Sequence, residues 1–207
     1  MNALEKKLKS LEKILSQHAN LGIAFSGGVD STFLLAFAAA RLQEGQSITA
    51  ITVSAPNFAP DEVEFAKDFC ENRGIRHMII TMDFSSIEGL AENTEERCYF
   101  CKRSIFSTVK RIAGNNNIPV IADGTNLDDQ GDYRPGKKAL LELGVLSPLL
   151  EAELTKEEIR QAAFDMDLPI WNKPAYACLA SRVPYGEPIT EEKLGAIYLV
   201  EKEIRDL

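Results

Sequence analysis

The chain has 207 residues, 45% of them hydrophobic and 26% charged, which is enough for one sizeable core and ordinary for a globular protein. A net charge of -8 excludes a surface built mainly to hold nucleic acid, and no apolar run approaches the about 20 residues that span a bilayer. The opening Met1-Asn2-Ala3-Leu4-Glu5-Lys6-Lys7 lacks the form of a secretion signal, so a cytoplasmic protein is expected, with its four cysteines reduced, metal-binding or catalytic rather than a disulfide framework.

Leu4, Leu8, Leu11 and Leu15 recur at spacings that put one apolar stripe on an opening helix, and His18 reads as its solvated end. The apolar run Leu21-Gly22-Ile23-Ala24-Phe25 then reads as a strand, Ser26-Gly27-Gly28-Val29-Asp30-Ser31-Thr32 as a tight glycine turn, and Phe33 to Ala40 as a helix. Two glycines before a helix start let backbone N–H groups and the positive end of the helix dipole approach a bulky anion, so this turn reads as a phosphate cradle. It is not a Walker loop, because Asp30 stands where that motif has lysine, and an acid among phosphates suggests a bridging magnesium ion.

Ser47 to Val53 is β-like, and Pro60-Asp61-Glu62 makes a good first turn for the next helix. Val63, Ala66 and Cys70 share a face of that helix, so Cys70 is expected to be a buried packing residue. Gly74 ends the helix, and His77 heads a strand to Thr81, where a satisfied hydrogen bond explains it better than a metal does. Cys98 to Gly114 is helical with Ile105, Val109 and Ile112 inward, Val120-Ile121-Ala122 is a short buried strand, and Val145-Leu146 a last one. Thr155 with Glu158 forms a capping box, Leu154 can staple onto Ile159, and the helix runs from about Lys156 to Met166. This alternation predicts an α/β doubly wound parallel sheet with helices on both faces, its ligands bound outside the carboxyl ends of the strands. Beyond Pro169 a long proline-rich loop follows, and Thr190-Glu191-Glu192-Lys193 starts a helix running to the chain end.

Two further constellations carry chemistry. Asp123-Gly124-Thr125-Asn126-Leu127-Asp128-Asp129 follows a strand directly, and reads either as an Asx-type turn or as a second turn facing a nucleotide, with Asp128 or Asp129 on the metal. Arg134 lies on the same loop, suited to bidentate contact with phosphate or carboxylate. Cys98-Tyr99-Phe100-Cys101 puts two thiols near a helix start, where the dipole favours thiolate, and Cys178 sits far off in Ala177-Cys178-Leu179-Ala180-Ser181-Arg182. A CxxC is a redox pair, half a zinc site or part of an iron–sulfur site, and three cysteines suit a 4Fe-4S cluster with one iron open.

The heptad Ser26 to Thr32 resembles the pyrophosphatase loop of the ATP α-hydrolases. Together with Arg97-Cys98-Tyr99-Phe100-Cys101-Lys102, Asp-Gly-Thr-Asn-x-Asp-Asp followed by Gly131-Asp132-Tyr133-Arg134-Pro135-Gly136, and Cys178-Leu179-Ala180-Ser181-Arg182 with Pro184-Tyr185-Gly186, it resembles the LarE family over nearly the whole chain. The resemblance implies a PP-loop ATP pyrophosphatase domain over 1–168, and over 169–207 a substrate and cysteine loop with the start of a C-terminal segment that family members continue. It implies ATP-dependent adenylation of a carboxylate on pyridinium-3,5-biscarboxylic acid mononucleotide, with release of pyrophosphate. Sulfur is then inserted as a thiocarboxylate for the nickel-pincer cofactor of lactate racemase.

By the same resemblance Ser26, Gly27, Gly28, Asp30, Ser31, Thr32, Gly124, Thr125 and Asn126 serve ATP, and Asp30 with Asp129 holds Mg2+. Arg134, Ser181 and Arg182 meet anionic parts of the substrate, and Cys98, Cys101 and Cys178 either hold a 4Fe-4S cluster or leave Cys178 as a sacrificial sulfur donor. A homo-oligomer acting on a small nucleotide, without nucleic acid or membrane, is expected. The rivals are an amide-forming synthetase, a tRNA thiolase and a non-enzymatic nucleotide or electron-transfer module.

Overall fold

A computed structural model describes residues 2–131 and 135–205. Helix α1 (Ala3–Ser16) opens with Asn2 accepting from the Glu5 amide and Glu5 answering to the Asn2 amide, and it buries Leu11 and Leu15 of the leucine stripe. Four strands follow in alternation with helices: β1 (Asn20–Ala24), α2 (Val29–Ala39), β2 (Ser47–Ser54), α3 (Pro60–Asn72), β3 (Arg76–Thr81), α4 (Arg97–Asn115) and β4 (Val120–Ala122). All pairings are parallel and the order across the sheet is β3-β2-β1-β4, so the chain reverses its winding beside β1. The predicted α/β doubly wound sheet is what forms.

Strand alternation sorts the apolar residues into two cores. Leu21 and Ile23 of β1, Ala50 of β2 and Ala122 of β4 join α1, α2, α3 and the short helix α6 (Pro148–Glu151), with α7 (Lys156–Asp165). Ile51, Ile80 and Ile121 point the other way, towards α4, α5 (Pro135–Glu142) and α8 (Glu191–Arg205). Gly22 faces this second core, and a Cβ there would stand 2.7 Å from Ile121 Cδ1 and 2.9 Å from Ile51 Cδ1, so the neighbouring isoleucines close over it. Leu179, Ala180, Val183, Ile189 and Leu194, all past Pro169, belong to the same second core.

Three expectations are corrected. Val145-Leu146 is no strand: Leu146 makes an isolated parallel bridge to Ala122, with Asp123 N donating to Leu146 O and Leu146 N to Ile121 O, both at 2.9 Å. The segment after Arg134 is helical from Pro135, which sits where its missing N–H costs nothing, and α5 buries Gly136, Ala139 and Leu140. The proline-rich loop contains a 3-10 turn at Leu179–Arg182. Cys70 is fully buried and Thr155 makes the full capping box with Glu158, both as expected. No helix among the described residues is long and apolar enough to cross a membrane.

Candidate active site

The first turn of α2 is built from the heptad. Gly27 has φ +75 and a Cβ there would lie 2.7 Å from Glu62 Oε2, so conformation and space both demand glycine. Gly28 caps α2 with no side chain, leaving the helix N-terminus open to an anion. The Ser26 and Ser31 hydroxyls stand 3.1 Å apart, and Ser31 Oγ also accepts from Ser26 N at 3.3 Å. Thr32 is fully buried and its hydroxyl donates to Gly28 O at 2.8 Å, so it braces the turn from within.

The loop after β4 is pressed against that turn. A Cβ at Gly124 would meet Ser31 N at 3.0 Å and Asp30 C at 3.3 Å, so two loops from adjacent strands touch where the winding reverses. Asp123 accepts from Ser147 Oγ at 2.7 Å and Thr125 Oγ1 at 2.5 Å. Asn126 Oδ1 accepts from Asp128 N at 3.0 Å while Asn126 N donates to Asp129 Oδ2 at 3.0 Å, an Asx-type cap on the 3-10 turn Leu127–Gly131. The Asx-type turn is thus formed, and it sits against the first turn of α2.

Asp30 is the electrostatic centre. Burial holds its carboxyl above the usual carboxylate range, Lys156 draws it back, the Asp129 carboxylate pushes it up, and the Asn126 side chain favours the charged form. Lys156 Nζ donates to Asp30 Oδ2 at 2.5 Å, while Asp30 Oδ1 is buried and has no hydrogen-bond partner among the described residues. A second ammonium, Lys173 Nζ, donates to Gly27 O at 3.1 Å and to both Glu62 carboxylate oxygens at 2.9 Å. Sequence reasoning assigned neither lysine. Lys156 did leave a signal, since a cation in the first turn of a helix opposes the dipole and calls for a nearby anion.

The cysteines gather at the same carboxyl edge of the sheet. Cys98 and Cys101 lie in the first turns of α4, and Cys178 immediately precedes the 3-10 turn. Asn57, in the loop after β2, ties them together: Asn57 O accepts from Leu179 N at 3.0 Å and Asn57 Nδ2 lies 3.8 Å from Cys101 Sγ. Burial, helped by Cys178 and Cys98 and opposed by Lys102 and Arg97, pushes the Cys101 thiol up to about 12. Burial and Cys98 likewise raise Cys178. The expected thiolate at a helix start is thus overturned for Cys101, where desolvation outweighs the dipole. Among the described residues no group of three or more His, Cys, Asp or Glu is set to hold a single metal ion.

Ser181 Oγ donates to Cys178 O at 2.7 Å and accepts from Arg182 at 2.8 Å, while Arg182 also pairs with Glu201 of α8. The structure thus brings Ser181 and Arg182 to the cysteine loop. Arg134 lies outside the described residues.

Such a glycine cradle, at the switch point of a parallel sheet and followed by an acid, defines a PP-loop nucleotide-binding protein, and the PP-loop domain family matches residues 1–133. Pyridinium-3,5-bisthiocarboxylic acid mononucleotide synthase from Lactiplantibacillus plantarum is 33% identical over 207 residues, covering 100% of this chain and 75% of that protein. The chain belongs to the LarE family and is an ATP-using enzyme. An uncharacterized protein from Synechocystis is 40% identical over 204 residues, covering 99% of this chain and 75% of that one. In fold, the chain matches NMN synthetase from Francisella tularensis with a TM-score of 0.64 at 17% identity, covering 99% of this chain and 95% of that one. The U34-tRNA thiolase NcsA from Methanococcus maripaludis, solved with its 4Fe-4S cluster, matches with a TM-score of 0.61 at 19% identity over 99% and 74%.

Proposed function

We propose that the chain is an ATP-dependent sulfur transferase that adenylates a carboxylate of pyridinium-3,5-biscarboxylic acid mononucleotide and replaces the activated oxygen with sulfur. The observation that carries this is the gathering of Cys98, Cys101 and Cys178 at the same carboxyl edge of the sheet as the PP loop, since adenylation alone needs no thiol.

The substrate carboxylate oxygen attacks the α-phosphorus of ATP, and the bond to the β-phosphate oxygen breaks, releasing pyrophosphate. Sulfur then attacks the acyl carbon and AMP leaves with the oxygen, so no electron is transferred. Gly27, Gly28 and the N-terminus of α2 receive the pyrophosphate with Ser26 and Ser31, and Lys156 and Lys173 add positive charge next to it. Gly124, Thr125 and Asn126 form the nucleotide's other wall.

The residues fit magnesium: Asp30 has one buried oxygen without a partner, and the Asp129 carboxylate is near enough to repel it, a repulsion that a divalent cation between them reverses. When bound, magnesium neutralises charge developing on the departing pyrophosphate. Cys98, Cys101 and Cys178 would hold a 4Fe-4S cluster, whose thiolate ligands stand on separate irons rather than around one ion. When bound, such a cluster would carry the transferable sulfide. Arg182 and Ser181, and Arg134 outside the described residues, serve the anionic groups of the substrate. Assembly as a homo-oligomer is part of the same proposal.

A second reading keeps the adenylation and makes Cys178 itself the sulfur donor, which its position on a loop rather than a helix favours. Incubation of anaerobic protein with ATP and the biscarboxylate mononucleotide tests the main reading. It predicts AMP and pyrophosphate in equal amounts, a thiocarboxylate by mass and iron in the protein as prepared. ADP and inorganic phosphate as products would sink it.

A further inference from the structure

Arg97 is 5% exposed, yet among the described residues it makes no ion pair. Its NH1 donates to Asn93 Oδ1 and, at 2.9 Å, to Ala180 O, and its Nε has no partner. The Tyr185 ring, on the loop that carries Cys178, lies 4.9 Å from the Arg97 guanidinium carbon, so the buried charge is met by two neutral oxygens and an aromatic face. Arg97 directly precedes Cys98 and is close enough to act on the Cys101 and Cys178 sulfurs.

Asn93, which is fully buried with φ 50, completes the arrangement. Its side-chain amide donates to Pro184 O and to Glu187 O, each at 2.7 Å, and its carbonyl accepts from Gly186 N at 3.0 Å. One asparagine in a left-handed conformation thus uses both N–H bonds and its backbone oxygen on the loop that carries Cys178, and its remaining oxygen on Arg97. Both residues lie just before the CxxC, whereas everything they grip lies more than 80 residues later, at separations of 83 for Ala180 and 91 for Pro184.

We propose that Asn93 and Arg97 form a positioning pair that docks the Cys178 loop on the CxxC turn, so that the third thiol is held ready to close with the other two on a soft centre. The pair rests on the reading that the three cysteines act together, and it extends that reading to residues that bear no sulfur. A loop already docked on the CxxC turn gives the third thiol a high effective concentration for closure.

Arsenite is the probe, because As(OH)3 exchanges three As–O bonds for three As–S bonds with release of three waters and no change in oxidation state. Phenylarsine oxide, which takes two thiols, reports on the CxxC alone. In this chain freed of iron and kept anaerobic, Cys178→Ser should lose tight arsenite binding and its sulfur-to-arsenic absorption while keeping phenylarsine oxide. Asn93→Gly, which keeps the backbone conformation and deletes the amide, and Arg97→Gln should each weaken arsenite about tenfold or more, with phenylarsine oxide unchanged. Arg97→Lys, retaining the charge, should fall between.

Thermal melts identify the folded variants, and if Arg97→Gln fails to fold, Asn93→Gly and Arg97→Lys carry the test. Folded variants that bind arsenite like the wild type overturn the positioning pair, as does equal loss of both arsenicals, which would mean a general disordering of the α4 start. Wild type and Cys178→Ser binding arsenite alike would instead overturn the joint action of the three cysteines, and the pair with it.

Discussion

A carboxylate taken out of water needs its charge answered, and at Asp30 Lys156 is bonded to one oxygen while the other has no hydrogen-bond partner among the described residues. Such half-satisfaction is poor for stability and good for a site that must receive a cation with its nucleotide. Asp30→Ala should therefore lower turnover by about a hundredfold or more, while leaving the fold intact by thermal melt. Near-normal pyrophosphate release from that variant would remove Asp30 from the mechanism. Cys70 is the opposite case, fully buried on α3 with its thiol pushed up to about 11 by desolvation alone. Cys70→Ser should cost about 1 kcal/mol or more through a buried hydroxyl, with sulfur transfer retained in the folded variant. The residues that the sequence hid at this scale are the ones that come from far along the chain. Lys156 meets Asp30 across 126 positions and Lys173 meets Gly27 across 146, and no local pattern encodes such a meeting.

Elements were legible where their signals were local. The strand, glycine turn and helix from Leu21 to Ala39 follow from an apolar run, two glycines and a second apolar run, and the Thr155 capping box marks the start of α7 to the residue. Helix α5 escaped because Pro135 was grouped with the arginine before it, and Val145-Leu146 misled because two apolar residues suffice for a bridge but not for a strand. At β3 the packing makes a pH prediction. Thr52 Oγ1 donates its proton to Phe25 O at 2.8 Å, so it must accept from His77 Nε2, also at 2.8 Å, which fixes the neutral tautomer just beneath the glycine turn. Burial lowers the His77 pKa from its ordinary 6.5, with Glu71 opposing. The unfolded chain therefore binds the proton first, so the contribution is complete above pH 6.5 and is lost as pH falls through that value towards the lower folded pKa. Urea denaturation between pH 5 and 8 should show this loss, and His77→Gln, which keeps an N–H for Thr52 without titrating, should flatten it.

At the scale of the whole molecule, the nucleotide cradle grows from the first core and the cysteines rest on the second, with the sheet between them. Both lie at the carboxyl edge of the parallel sheet, and under the proposed function one substrate carboxylate would meet AMP chemistry from one side and sulfur from the other. The two sulfur mechanisms differ in what they ask of this arrangement. Sacrifice needs one thiol, Cys178, and leaves that residue lighter by the mass of hydrogen sulfide after a single turnover. A cluster needs Cys98, Cys101 and Cys178 together and returns each of them intact. We prefer the cluster because a CxxC accompanies Cys178 in the sequence, and a lone sacrificial residue would not need the pair. Each single Cys→Ala change should therefore abolish both iron binding and sulfur transfer in anaerobic assays supplied with sulfide, and wild-type protein should turn over more than once with no change in mass. If Cys98→Ala and Cys101→Ala still transfer one sulfur, and mass spectrometry then finds dehydroalanine in place of Cys178, the sulfur came from the side chain and the other two thiols are packing.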